Sequence, residues 1–292
     1  MKKTLKVAVT GGNGFIGTEI LRELKKNKIK FISLQKSKKN MITSNIYHFN
    51  LSRLNKNILS VLSGIDVVIH LAALVHKGPL TEKEYLKLNF EGTKILFEKC
   101  KKFGVKKFIF LSTMSVYGLI SSKSKIDIHC LTNPKNNYAK SKHLSEQYLL
   151  SQKSAVKISI IRLPSIYGNN SPGQFGILEK LAIKNIPLPF LGIKNKRSMI
   201  SVNLVAKIIT KISKNMKMYL GLQLLCENKA YSIEYLIKKI RNKNRIPLRL
   251  FYFPKTLIKF FLFFLGKSET YKRIYENLEF VSTINIKKIL KH

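Results

Sequence analysis

Apolar residues along this chain come in two rhythms. Short, nearly continuous runs rich in β-branched and aromatic residues occupy Leu5–Val9, Lys30–Leu34, Val67–Leu71, Lys107–Leu111 and Lys157–Arg162. Between them lie longer stretches in which apolar residues recur at three- and four-residue spacing: Phe15–Lys26, Lys83–Phe103, Tyr138–Gln152 and a shorter one around Leu54–Leu62. A run that is apolar along its whole length must be covered on both faces, which parallel strands joined by crossover helices achieve. The alternation therefore predicts an α/β fold built on a doubly wound parallel sheet.

After Tyr167 the pattern loosens, with Gly168, Pro172, Gly173, Pro187 and Pro189 as punctuation. Leu222–Cys226 reads as one more strand and Ser232–Ile240 as a helix that begins with a serine cap. Further on, Leu257–Leu265 is densely apolar but far short of the roughly 20 residues that span a bilayer. The expectation is a buried helix of a small C-terminal unit; the alternative is a basic-flanked amphipathic segment lying on a membrane.

With 292 residues, 45% of them hydrophobic, the chain can bury a sizeable core. The basic start runs straight into glycines, unlike a secretory leader, so a cytoplasmic protein is expected. Three widely separated cysteines suggest neither a disulfide framework nor a metal site. The formal charge of +39 changes the picture less than its size suggests. It comes mostly from lysines scattered through a chain also rich in Ile and Asn, and no interleaved aromatic stacking motif accompanies them, so no nucleic-acid partner is expected.

Candidate chemistry begins at "TGGNGFIG", Thr10 to Gly17. Gly11, Gly14 and Gly17 stand between a strand and a helix, as a dinucleotide site requires: one glycine for the turn, one for close approach of pyrophosphate, one for helix–strand packing. The phosphates then sit at a helix N-terminus, where free amides and the helix dipole favour negative charge. A second constellation is "YAKSK", which puts Tyr138 and Lys142 on one helix face. Free tyrosine is a poor base at neutral pH, but an adjacent ammonium and a cationic nicotinamide both favour its phenolate.

These two motifs, with "VIHLAA" (68–73), "NFEGT" (89–93), "FIFLSTMSVYG" (108–118), "NPKNNYAKSK" (133–142), "IIRLPSIYG" (160–168) and "NKRSMISVNL" (195–204), follow the order seen in extended short-chain dehydrogenase/reductases. The chain resembles the NAD-dependent epimerase/dehydratase family, in particular the nucleotide-sugar 4-epimerases of bacterial surface-polysaccharide synthesis. The resemblance implies a Rossmann domain over residues 1–167, rejoined by about 200–226, and a mainly substrate-binding domain over 168–292.

The resemblance further implies that Tyr138 is the catalytic base, that Lys142 is its partner on the nicotinamide ribose, and that Thr113 hydrogen-bonds the reacting oxygen. Gly11, Gly14, Phe15 and Ile16 would line the pyrophosphate. Leu71, Ala72 and Ala73 would border the adenosine side, with Asn89 supporting the pocket and Pro164 adjoining the nicotinamide. Arg197 would grip the substrate diphosphate, and Ser165 would stand where the galactose epimerases carry Asn. Departures concern the second strand, which ends Ser33-Leu34-Gln35-Lys36 without the expected acid. The expected cofactor is NAD, with NADP as the alternative because Lys36 could meet a 2′-phosphate, while Asn50-Leu51 takes the place of an Asp-Leu at the adenine. Asn203 is a candidate helix cap, and His70 reads as a satisfied core histidine.

The implied function is epimerisation at carbon 4 of a UDP-hexose or UDP-N-acetylhexosamine through a transient 4-keto sugar, by a homodimer. The alternatives are an NAD(P)H-dependent 4-ketosugar reductase, an epimerase of a lipid-linked sugar in peripheral contact with a membrane, and a non-catalytic dinucleotide- or RNA-binding relative.

Overall fold

The computed structural model describes residues 4–36, 45–49, 60–75 and 80–291. Asn50, Leu51 and most of the Leu54–Leu62 stretch lie outside them. The predicted strands occur as β1 (Lys6–Thr10), β2 (Lys30–Gln35), β4 (Val67–His70), β5 (Lys107–Thr113), β6 (Lys157–Leu163) and β9 (Gly221–Leu224), joined by β3 (Ile46–His48). They form one parallel sheet in the order β3-β2-β1-β4-β5-β6-β9. The order reverses between β1 and β4, which is where an open α/β sheet forms a ligand crevice at its carboxyl edge.

Strand alternation sorts side chains to two cores. Val7, Val9, Val67, Ile69, Ile109 and Ile161 meet helices α1 (Phe15–Lys26) and α6 (Val202–Lys214). Ala8, Val68, Phe108, Phe110 and Ile160 face the other way, against α3 (Gly92–Lys102) and α4 (Asn137–Ser151). Each fully buried aliphatic or aromatic side chain contributes roughly 1.5–3 kcal/mol, so both faces hold the sheet.

The predicted helix Lys83–Phe103 is broken in the structure. A short α2 (Glu82–Tyr85), capped by Thr81, passes into a π-helical stretch, Leu86–Glu91, before α3 begins. The extra residue is invisible to apolar periodicity, and π-turns favour functional sites. It carries the buried Asn89.

A smaller sheet joins β7 (Ser165–Tyr167) parallel to β8 (Arg197–Ser201) and β8 antiparallel to β10 (Ala230–Tyr231). α5 (Gly173–Ala182) and α7 (Ile233–Lys243) cover it through Phe175, Met199, Tyr231 and Ile237. Ser232 caps α7 as expected. The cap of α6, however, is Ser201, whose side chain accepts from the Leu204 amide, so Asn203 does not cap it.

Lys107 ties the central sheet to the C-terminal end of α6. It is fully buried, and its Nζ donates to the carbonyls of Ile212 (3.1 Å), Asn215 (2.8 Å) and Met218 (2.8 Å). The negative pole of that helix suits a cation.

The expectation of a buried C-terminal helix is overturned. α8 (Lys255–Phe264) contains no buried residue, and it is followed by α9 (Ser268–Tyr275) and α10 (Ile286–Lys291). A dense apolar run looks the same whether protein or something else covers it, so sequence density alone misplaced it.

Candidate active site

The glycine turn stands at the carboxyl end of β1. Gly11 has φ +72° and donates its amide to the Leu34 carbonyl (2.8 Å), a conformation that favours glycine. A Cβ on Gly17 would lie 2.2 Å from the Gly11 carbonyl oxygen, so this position admits no side chain and α1 starts tight against the turn. Gly14 caps α1 with no side-chain hydrogen bond, which leaves the first helical amides, at Phe15 and Ile16, open to a ligand. The half-buried Phe15 reaches across to the backbone at Gly168, beyond β7. Lys36 lies exposed just past β2, its carbonyl taking the Asn13 amide (3.2 Å).

Across the crevice, Leu71, Ala72 and Ala73 leave β4 beside Gly11. Their path is set by a buried polar chain whose hydrogens can be placed. Thr10 Oγ1 accepts the amides of Leu71 and Ala72, both at 3.1 Å, so its hydroxyl donates to His70 Nδ1 (2.7 Å). His70 Nε2–H then donates to Thr93 Oγ1 (2.9 Å), which donates to the Asn89 carbonyl (2.6 Å). Burial, and then the charge of Lys142, push His70 well below the usual imidazole value, which keeps this one neutral tautomer. His70 is thus the satisfied core histidine expected.

Asn89 continues the chain. Its side chain takes the Leu74 amide (2.7 Å), gives to the Leu74 carbonyl (3.0 Å) and gives to Ser141 Oγ (3.0 Å), which in turn donates to the Tyr138 carbonyl (2.8 Å). One uninterrupted set of hydrogen bonds therefore runs from the glycine turn to the backbone of the tyrosine. Thr10, Thr93 and Ser141 are the members that sequence reasoning missed: each lies inside a recognised motif, but the motifs are far apart in the chain and only the fold brings these side chains together.

α4 begins at Asn136, which accepts the Ala139 amide (2.8 Å). Tyr138, Lys142 and Glu146 follow at four-residue spacing toward the sheet. Lys142 is 2% exposed and its Nζ lies 3.8 Å from the centre of the Phe110 ring on β5, a cation–π contact. Burial pushes its ammonium down to about 7 against an opposing pull from Glu146. The half-buried Tyr138 phenol is pushed up to about 12 by burial. Desolvation dominates at both groups and disfavours both charges.

Glu146 was not foreseen, although continuing the Tyr138–Lys142 spacing by one turn points to it. It is buried and doubly bonded by Arg162 on β6, with Nη2 at 2.7 Å and Nε at 3.0 Å. Burial raises its carboxyl, but hydrogen bonds from His143 and Arg162 outweigh this and keep it ionised.

Thr113 ends β5 and caps the 3-10 turn Met114–Tyr117: its Oγ1 accepts the Ser115 amide and donates to Ser115 Oγ, both at 3.1 Å. Pro164 separates β6 from β7, and Ser165 is exposed at the start of β7. Arg197 stands at the start of β8, half-buried, giving to the carbonyls of Glu276 (3.1 Å) and Ile120 (3.2 Å). The second bond ties it to the loop that follows Thr113. Burial, and then the nearby Arg273 on α9, push Arg197 down to about 10. Arg273 itself is paired with Glu269 Oε2 at 3.1 Å. Arg273, too, went unremarked in the sequence.

Residues 7–218 match the model of the NAD dependent epimerase/dehydratase family. The chain belongs to that family. A UDP-glucose 4-epimerase of Vibrio cholerae is 32% identical over 224 residues, covering 72% of this chain and 67% of the relative. The chain spans about half to two thirds of the length of the curated relatives it matches. Among solved structures, MoeE5 in complex with UDP-glucose and NAD has a TM-score of 0.73 at 19% identity, with 98% of this chain and 92% of that one covered. The UDP-glucose 4-epimerase of Thermus thermophilus, a complex with NAD, has a TM-score of 0.70 at 20% identity, with 99% and 93% covered. At such identities these structures show the shared fold, that of the family's extended short-chain dehydrogenase/reductases.

Proposed function

We propose that the protein is a nucleotide-sugar 4-epimerase acting on a UDP-hexose or UDP-N-acetylhexosamine with tightly held NAD. The observation that carries this reading is the placement of Lys142 and Tyr138: one turn apart on α4, with the ammonium against β5 and electrostatically felt by His70 below the glycine turn. The residues present suit NAD. The glycine-only turn and uncapped start of α1 receive the pyrophosphate, Leu71–Ala73 flank the adenosine half, and Lys142 faces the ribose beside the nicotinamide. When bound, NAD supplies reversible acceptance of the hydrogen on sugar carbon 4.

Tyr138 takes the proton of the carbon-4 hydroxyl and later returns it. Since burial alone makes its phenol a weak acid, a protonated Lys142 one turn away would help bring its proton within reach at neutral pH, and bound NAD would add positive charge there. Thr113 orients the reacting oxygen. Arg197, with Arg273, holds the diphosphate while the sugar turns over to present its other face. Residues 168–292 then contribute most of the substrate contacts and residues 1–167, with β9, the coenzyme contacts. Ile95, Leu144 and Leu150 stand exposed on α3 and α4, a face suited to pairing two copies.

The test is conversion of UDP-glucose or UDP-N-acetylglucosamine to its galacto epimer by purified protein without added reductant. Conversion that persists unchanged in Tyr138→Phe rejects the mechanism. The exposed Lys36 beside the glycine turn favours a second reading, a 4-ketosugar reductase; stoichiometric NADPH consumption by a 4-keto nucleotide sugar would select it.

A further inference from the structure

α8 is unlike every other helix in this chain's described residues: it is apolar yet covered by almost nothing. Only Ile258 and Leu262 are even partly buried, and these mark its protein side, toward α9. Its exposed side chains include Leu257, Phe260, Phe261, Phe263 and Phe264, with Phe260 63% and Phe264 69% exposed. Phe260 and Phe264 pack edge to face, 4.4 Å between ring centres, and so form a continuous ridge rather than isolated side chains. Exposed apolar area of this kind marks an interaction surface.

The charges around the ridge say what it meets. Lys255 begins the helix, Lys259 lies behind the ridge over the Tyr271 ring at 5.9 Å, and Lys267 follows the helix end. The chain as a whole carries +39. A second copy docking here would bring like charge against like charge, whereas an anionic lipid surface offers both hydrocarbon for the rings and counter-charge for the lysines. With ten residues, α8 is about 15 Å long, roughly half a bilayer's hydrocarbon thickness, so it lies in the interface plane. Long lysine stems can then reach back to the headgroups.

We propose that α8 is a peripheral membrane-binding element that embeds the Leu257, Phe260, Phe263 and Phe264 ridge in an anionic lipid interface. The placement has a functional consequence. An apolar groove between α8 and α9, with a volume of about 640 Å³, adjoins the ridge: Leu257 and Phe260 line it together with Phe190, Ile258, Leu262 and Ile274, and Arg273 precedes Ile274 on α9. The guanidinium pair at Arg197 thus lies one helix away from the membrane-facing ridge.

Full-length protein is sedimented with vesicles of phosphatidylcholine alone or mixed with phosphatidylglycerol, and its oligomeric state is measured by light scattering. The proposal expects pelleting with the mixed vesicles, weakened by added salt and reduced at least about tenfold in Phe260→Ser/Phe264→Ser. The thermal midpoint of that variant stays within a degree or two of the parent, because both side chains are exposed. As a control, Leu131→Ser, at another exposed apolar site, leaves binding unchanged. Absence of binding to phosphatidylglycerol vesicles, or equal binding by the double variant, overturns the proposal. A dimer that becomes a monomer on the double substitution assigns the ridge to self-association and overturns it as well. Sugar turnover is read separately, so failure of membrane binding leaves the epimerase reading standing.

Discussion

The carboxyl edge of the seven-stranded sheet and the C-terminal helix α8 solve opposite problems. At the sheet edge, polar and charged groups are taken out of water, and each link from Thr10 to Ser141 finds a partner inside the protein. At α8, large apolar groups are left in water without internal partners. Burial at the first site costs stability and gives the chain a fixed scaffold with reactive groups held in their neutral forms. Exposure at the second costs solubility and gives it a surface whose partner must come from outside. A change at the sheet edge should therefore be felt inside the protein, and a change at α8 should not.

The largest effect expected is at Tyr138. Tyr138→Phe removes the proton acceptor and keeps the backbone carbonyl that Ser141 bonds, and turnover should fall roughly 10²–10⁴-fold with a far smaller change in melting temperature. Steady-state epimerisation and calorimetry together check this; a large loss of stability would place the phenol in the scaffold instead.

Lys142 sharpens the contrast because its burial is unfavourable. Its folded value, about 7, lies below the ordinary 10.5, so above pH 7 the unfolded chain binds more protons than the native one. Stability of the ligand-free protein should therefore rise between about pH 7 and pH 10, by at most about 1.4 kcal/mol per pH unit for one such group. Lys107, lowered to about 8, adds to the same trend. Lys142→Met should abolish turnover yet flatten this rise, leaving a protein as stable as the parent or more so near pH 7. Denaturant melts across that range decide it.

Next come the substrate grip and the scaffold. Arg197→Lys keeps the charge but loses the fork, and should raise KM about tenfold with a smaller change in kcat. Thr93→Val leaves His70 Nε2–H without its acceptor, at a cost of about 1–3 kcal/mol measured by urea unfolding. The smallest effect belongs to α8: Phe260→Ser should change stability by no more than about 0.5 kcal/mol. A larger drop would mean that the ridge packs against protein after all.

The same contrast explains what could be read from the sequence. The six predicted strands each occur, within one or two residues, because a strand buried on both faces must be apolar throughout, and the polar end of β5 at Ser112 and Thr113 merely extends the ladder. The glycine turn and the Tyr138–Lys142 pair were legible because backbone geometry and helical spacing tie those residue types to fixed positions. The buried polar chain was not, since Thr, His, Asn and Ser are brought together only by the sheet. The π-turn at Leu86–Glu91 and the exposure of α8 were hidden for a related reason: periodicity reports that a face is apolar, but neither an inserted residue nor the identity of what covers the face.

The buried ammonium at the start of β5 sets a rule for dissecting this enzyme. Any fragment that ends after β7, at residue 167, would lose the three carbonyl acceptors contributed from beyond residue 211 and would leave the Lys107 ammonium without them under its central strand. Residues 1–167 are thus not a severable module. Their foundations are completed by peptide that is synthesised only after some forty further residues have emerged.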